Sequence, residues 1–170
     1  AHITVMDSNG RELTRGEIGE IWIRSASVIK GYWNNPRATA ESFTAGYWHS
    51  GDLGSIDEEN FVRVFDRQKD MINRGGFKIY SAEVESILAG HPAIVESAII
   101  ARPCPVLGER VHAVVVVRGE IDPPALRAWC AERMSDYKVP ETIAISTEPL
   151  PRNANGKVMK KNLRETLVDS

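Results

Sequence analysis

The sequence is short of the residues that would announce several common kinds of protein. Among 170 residues only two are cysteine, Cys104 and Cys130, and their spacing suits neither a disulfide scaffold nor a thiolate metal site. A reducing compartment, the cytoplasm, is the expected location, and no metal-binding residue stands out. Charge of one sign is also scarce. The 21 Lys and Arg are balanced by 23 Asp and Glu, interspersed rather than in blocks, so no electropositive footprint for nucleic acid exists. The longest apolar runs, such as AVVVV at 113–117, are strand-sized, against the roughly 20 residues needed to cross a bilayer. The opening AHITVMDSNG lacks the basic and long apolar regions of a signal peptide. It reads as a strand entering a turn, and a start without methionine reads as a piece of something longer.

What is present is a globular chain, 42% hydrophobic, whose patterning changes along its length. The first third reads as β structure: ITVMD, the turn SNG, REL, and EIWIRS, in which Ile21 and Ile23 alternate with Trp22 and Arg24. Asn35 and Pro36 predict a short helix over RATAESF. GYWHSGDLG then reads as strand, turn and strand, and IDEENFVRVFD as an acidic turn and a strand with apolar Phe61, Val62, Val64 and Phe65. DRQKD at 66–70 has no hydrophobic periodicity and is the expected linker.

Beyond it strands and helices alternate. MINRGGFKIY predicts a hairpin broken at Gly75 and Gly76. Ser81 is the expected cap of a helix whose stripe is Val84, Ile87 and Leu88, ended by Gly90. Strands IVESAIIA and VHAVVVV follow, then a helix capped by Asp122 with Leu126, Trp129, Cys130 and Met134 on one face. ETIAIS gives a last strand and VMKKNLRETL a terminal helix. The fold class is α+β: a β-rich segment, then a small α+β domain.

Four places carry polar or glycine residues that packing does not fully explain. In HSGDLG, Asp52 follows a glycine in an expected tight turn, where a carboxylate accepts hydrogen bonds from a vicinal diol or from its own turn backbone. DRQKD supplies Arg67, a planar donor fork, and Lys69, a flexible cation, or simply a solvated charged linker. NRGGFK has adjacent glycines that admit close approach of a ligand or turn a hairpin, and it matches no phosphate loop. PRNANGK sets Lys157 on a polar loop, either a point charge for phosphate and carboxylate oxygens or a surface lysine beside the basic Lys160 and Lys161.

In order and spacing, GEIWIRSASVIKGYWNNP, YWHSGDLG, FDRQKDMINRGGFKIYSAEVES and PLPRNANGKVMKKNL together resemble the C-terminal portion of the adenylate-forming, AMP-binding acyl-CoA synthetase family. The resemblance covers almost the whole chain. It departs in Ser50 and Asn155, where threonine is frequent, and each keeps a polar side chain. It implies an acid–thiol ligase that joins a carboxylic acid to ATP as acyl-adenylate, releasing pyrophosphate, and then passes the acyl group to coenzyme A. By the same resemblance Asp52 binds the ribose of ATP, Arg67 supports ribose or phosphate, and Lys69 is a hinge. Gly75 and Gly76 approach the pantetheine tunnel, and Lys157 is the catalytic adenylation lysine.

Residues 1–66 would then be the β-rich end of a large N-terminal adenylation domain, 67–70 the hinge, and 71–170 the AMP-binding enzyme C-terminal domain. No Ser/Thr/Gly-rich phosphate loop ending in lysine is found. The magnesium ligand and acyl pocket are therefore expected in an N-terminal domain that acts as partner, and the 170-residue chain alone is expected to be inactive. Two other readings stay open, an adenylation domain that loads a carrier protein and a non-catalytic binding module.

Overall fold

The computed structural model describes residues 1–166, so Leu167, which closes the expected terminal helix, lies outside the described residues. The chain divides into two compact units, Ala1–Lys69 and Asp70–Ser170.

The first unit is built on an antiparallel sheet of β1 (His2–Met6), β2 (Gly19–Arg24), β3 (Phe43–Thr44), β4 (Tyr47–Ile56) and β5 (Val62–Arg67). β2 lies between β1 and β4, while β3 and β5 pair with the opening and closing parts of β4. REL does not form a strand and leaves only a single bridge from Glu12 to Met6. Asp7 is the reason: its Oδ1 accepts the amides of Asn9 and Arg11 and turns the chain back on itself. Helix α1 (Pro36–Ser42) starts where predicted, with Asn35 Oδ1 accepting the Ala38 amide at 3.0 Å.

The boundary between the two units falls within DRQKD, whose residues are themselves structured. Asp66 and Arg67 finish β5, and Gln68–Asp70 is a single 3-10 turn in which Asp70 is buried. Asp66 Oδ1 accepts the Arg67 amide at 2.8 Å, and Asp70 Oδ1 takes a bond from Arg164 at 2.8 Å. Burial by bonded carboxylates leaves no apolar period in the sequence.

In the second unit, β6 (Ile72–Arg74) and β7 (Phe77–Ile79) form the predicted hairpin, and α2 (Ser81–Leu88) follows. Then come β8 (Ile94–Cys104), β9 (Gly108–Val117), α3 (Pro123–Ala131), β10 (Thr142–Ser146) and α4 (Lys160–Thr166). β9 is central: antiparallel to β8, parallel to β10, and touching β6 where Gly108 meets Arg74. Strand alternation splits the apolar residues between two faces. Ile99, Val111, Ala113 and Val115 pack with Val84 and Leu88 of α2 and with Leu126 and Cys130 of α3. Ala98, Ile100 and Val114 pack with Leu150 and with Leu163 of α4. Two buried faces explain why β9 reads as a continuous valine run.

Ser81 does not cap α2. Tyr80 is the N-cap, its side chain making no capping hydrogen bond, and Ser81 is a fully buried first-turn residue. The terminal helix starts at Lys160, later than predicted, because Val158 is held in a bridge with Arg152. Among the described residues no helix is long and apolar enough to cross a membrane.

His112 is buried in β9. Its Nδ1 lies 2.6 Å from Thr142 Oγ1 on β10, and its Nε2 is enclosed without a hydrogen-bond partner. Burial, helped by the charge of Arg102, holds the imidazole pKa below its ordinary value of 6.5. The folded state thus binds fewer protons than the unfolded one, so stability is full above about pH 6.5 and falls as pH drops toward the folded pKa. Thermal melts from pH 7 to pH 5 are expected to show this loss, and His112→Gln is expected to flatten it. Equal pH slopes in both proteins would remove His112 as the cause.

Candidate functional site

Asp52 does not sit in a turn between strands, because β4 runs continuously from Tyr47 to Ile56. The glycine instead makes a bulge. Glu20 pairs with Leu53 and Trp22 with His49, so Ile21 alone opposes residues 50–52, and Gly51 takes φ +70°. Glu20 fixes this bend, accepting the Gly51 amide at 3.1 Å and the Trp22 indole N–H at 2.9 Å. Ser50 Oγ donates to the Ile21 carbonyl at 2.7 Å and accepts the Asp52 amide at 3.0 Å. The hydroxyl at position 50 is therefore part of the bulge. Asp52 emerges beside Arg67, its cross-strand partner on β5, with Arg67 Nε 2.8 Å from Asp52 Oδ1. Both side chains keep a solvent-facing part, which leaves a carboxylate and a guanidinium together on one surface. Lys69, two residues on, is exposed and ends the first unit.

Gly75 and Gly76 form the two-residue turn of the β6–β7 hairpin, with φ of +58° and +94°. Positive φ at both positions is why glycines stand there. The hairpin is held from three sides: the Gly75 amide donates to the Leu107 carbonyl at 2.8 Å, the Asn73 amide to Glu109 Oε2 at 2.7 Å, and Arg74 Nε to Glu141 Oε1 at 2.6 Å. Arg110 holds the other oxygen of Glu141 at 3.1 Å. Beyond Gly76 the half-exposed Phe77 ring stacks on Tyr137, centroids 4.6 Å apart. Cys104 is the last residue of β8, beside the turn into β9. The amides of Leu107 and Val106, with Arg110, hold its thiol below the ordinary pKa.

Lys157 stands on a small closed loop. Asn153 organises it, its Oδ1 accepting the amides of Asn155 at 3.1 Å and Lys157 at 2.9 Å, while its own amide donates to the Lys157 carbonyl at 2.9 Å. Gly156, at φ +78°, makes the tight turn. The Lys157 side chain is exposed. Lys160 is not the solvated residue that the basic run suggests: its Nζ lies 2.6 Å from buried Ser81 Oγ and 2.7 Å from Glu85 Oε1. Glu85 Oε1 also accepts the Ile99 amide at 2.8 Å, on the edge of β8 that β9 does not cover. Lys161 does face solvent.

The Lys157 loop and the glycine hairpin occupy opposite ends of β8. Arg152, within the loop, pairs with Glu96 near the start of β8, whereas the hairpin bonds to Leu107, just past Cys104 at its end. Eight residue steps of strand run from Glu96 to Cys104, roughly 26 Å at ~3.3 Å per residue. Two exposed elements so far apart on one sheet cannot meet the same reacting atoms in one placement. Asp52 and Arg67 are brought together, but within the second unit Gly75 and Gly76 are not brought to Lys157.

The roles of Arg152, Glu96, Glu85 and Glu141, and the contact of Ser81 with Lys160, have no local sequence signal. Their partnerships link residues 56 to 79 positions apart, and no local period reports such pairs. Among the described residues no group of three or more His, Cys, Asp or Glu is placed to hold a metal ion.

The family described as the AMP-binding enzyme C-terminal domain matches residues 83–157. A feruloyl-CoA synthase of an Amycolatopsis species is 42% identical over 158 residues, covering 92% of this chain and 32% of that protein. The crystal structure of ATP-bound MatB from Rhodopseudomonas palustris superposes with a TM-score of 0.89 at 39% identity, over 99% of this chain and 34% of that one. The o-succinylbenzoate-CoA synthetase (MenE) of Bacillus subtilis, in complex with its acyl-adenylate intermediate, gives a TM-score of 0.89 at 36% identity over the same shares. The chain thus spans about a third of the length of the relatives it matches.

Proposed function

Because the chain belongs to the adenylate-forming enzymes as a C-terminal portion, we propose that it serves an ATP-dependent acyl-CoA synthetase. A carboxylate attacks the α-phosphorus of ATP, pyrophosphate leaves, and the acyl-adenylate forms. The thiol of coenzyme A then attacks the acyl carbon, AMP leaves, and the thiol proton passes to solvent or base. The observation that carries this reading is the placement of two unlike elements, a lysine loop and a glycine hairpin, at opposite ends of β8. One domain presenting each in turn suits two successive reactions.

Lys157 serves the first step. Its ammonium group offsets negative charge where carboxylate and α-phosphate oxygens approach. The Gly75–Gly76 hairpin serves the second, since its bare backbone admits a narrow pantetheine chain. Lys69, at the end of the first unit, is the hinge about which residues 71–170 turn between the steps. Asp52 accepts from the ribose hydroxyls, and Arg67 both aims that carboxylate and supports ribose or phosphate. Magnesium enters with ATP, and its protein ligand and the acid pocket belong to the N-terminal domain of such an enzyme. The whole reaction belongs to the cytoplasm.

The test is a panel of aliphatic and aromatic acids with ATP, magnesium and coenzyme A, supplied to the whole enzyme. Acid-dependent release of pyrophosphate with formation of an acyl-CoA thioester is the expected result. Pyrophosphate release with acyl transfer only to a carrier protein would redirect the second step, and no acid-dependent release would sink the reading. The 170-residue chain alone is expected to release no pyrophosphate above background. Robust turnover by it would refute the division of labour between domains.

A further inference from the structure

We propose that Arg152 is a positioning residue for Lys157, holding the lysine loop to β8 by bridging the Gly156 carbonyl and the Glu96 carboxylate. The proposal rests on the reading of Lys157 as the adenylation lysine. The bonds among Asn153, Asn155, Gly156 and Lys157 close the loop on itself, but they do not tie it to the sheet. Arg152 does both. Its Nη1 donates to the Gly156 carbonyl at 2.7 Å, at the peptide that enters Lys157, and its Nη2 pairs with Glu96 on β8. Glu96 belongs to β8, and its side chain is only 20% exposed, so the anchor end lies on the sheet.

A guanidinium has donors on separate nitrogens in one rigid plane and can hold a carbonyl and a carboxylate at once. Lysine ends in a single nitrogen and cannot reproduce both contacts in that geometry. The flanks are held by packing, with Leu150 and Val158 in the apolar cluster against β8 and β9. The tip that carries Lys157 depends on Arg152. A reacting group displaced by about 1 Å loses on the order of 100-fold in rate, so a tip free to pivot is costly.

The test measures adenylation and thioester transfer separately in the whole enzyme, with amide hydrogen exchange across residues 153–159. Arg152→Gln is expected to speed exchange at the Gly156 and Lys157 amides and to slow adenylation about 10- to 100-fold. The loss falls in kcat more than in KM for ATP, and transfer from supplied acyl-adenylate is unchanged. Glu96→Gln is expected to act in the same direction, the double variant to be no worse than Arg152→Gln, and Arg152→Lys to recover part of the rate. A direct role of Arg152 on phosphate predicts the opposite for Glu96→Gln, because removing its partner frees the guanidinium.

Rapid adenylation in Glu96→Gln, or slowing of Arg152→Gln without faster exchange, overturns the proposal. Faster exchange without slowing also overturns it, provided that Lys157→Ala slows adenylation strongly in the same assay. If Lys157→Ala leaves adenylation intact, the reading of Lys157 fails instead, and positioning for adenylation fails with it. In that case faster exchange in both variants still identifies Arg152 as the tether of the loop.

Discussion

Lys157→Ala is expected to slow acyl-adenylate formation by about 10²–10³-fold, the range that follows loss of one group aimed at developing transition-state charge. The ammonium group has no structural duty that would confuse the result. Its side chain is exposed, and the bonds that shape the loop come from the Lys157 backbone and from Asn153, which alanine leaves in place. The fold and its melting temperature should therefore hardly move. Acid-dependent exchange of labelled pyrophosphate into ATP measures the step directly, and an unchanged exchange rate would remove Lys157 from the chemistry.

Gly76→Leu is expected to show the converse, with thioester formation slowed by about 100-fold and adenylation nearly intact. Gly76 has φ +94°, and a Cβ built on it meets nothing within 4 Å. A leucine there strains the turn by about 1–3 kcal/mol and projects into open space rather than into the core. The hairpin keeps its ties to Leu107, Glu109 and Glu141, so the unit should still fold. What changes is the surface offered to an approaching pantetheine chain. Gly75 is the less informative position, because its Cβ would lie 3.3 Å from the Leu107 side chain and mix a packing effect with the functional one. Stopped-flow or quenched transfer from acyl-adenylate to coenzyme A reads the step, and a variant slowed equally in both steps would point to general damage.

The broad architecture was legible because local chemistry dictates it. Asn35 with Pro36, and Asp122 with Pro123, announce helices that begin where those caps stand. The adjacent glycines announce a turn that needs positive φ twice. The valine run of β9 was legible as a strand, though which face each valine meets depends on α2, α3 and α4, distant in the sequence. Errors arose where polar groups do the organising. Gly-Asp is a turn signal and predicts a turn at Asp52, yet Glu20, some thirty residues earlier, holds Gly51 in a bulge within a continuous strand. Ser81 resembles a cap, but Lys160 and the start of the helix bury it. Lys160 itself resembles a surface lysine until Glu85 is brought against it.

The candidate site divides in the same way. Lys157, Asp52 and the glycine pair stand out by residue type in order along the chain, and none of them is specific taken alone. The supports of the site, Arg152 with Glu96 and Arg74 with Glu141, carry no local signature. Nor does the separation of the two loops along β8, which follows from the register of β8 with β9 and not from any motif.

The most direct test of the two-loop division is to measure both half-reactions in both variants of the whole enzyme, starting one from acid and ATP and the other from supplied acyl-adenylate and coenzyme A. A crossed pattern is expected, with Lys157→Ala defective only in adenylation and Gly76→Leu only in transfer. Equal loss of both steps in either variant would contradict the assignment of the two ends of β8 to separate reactions.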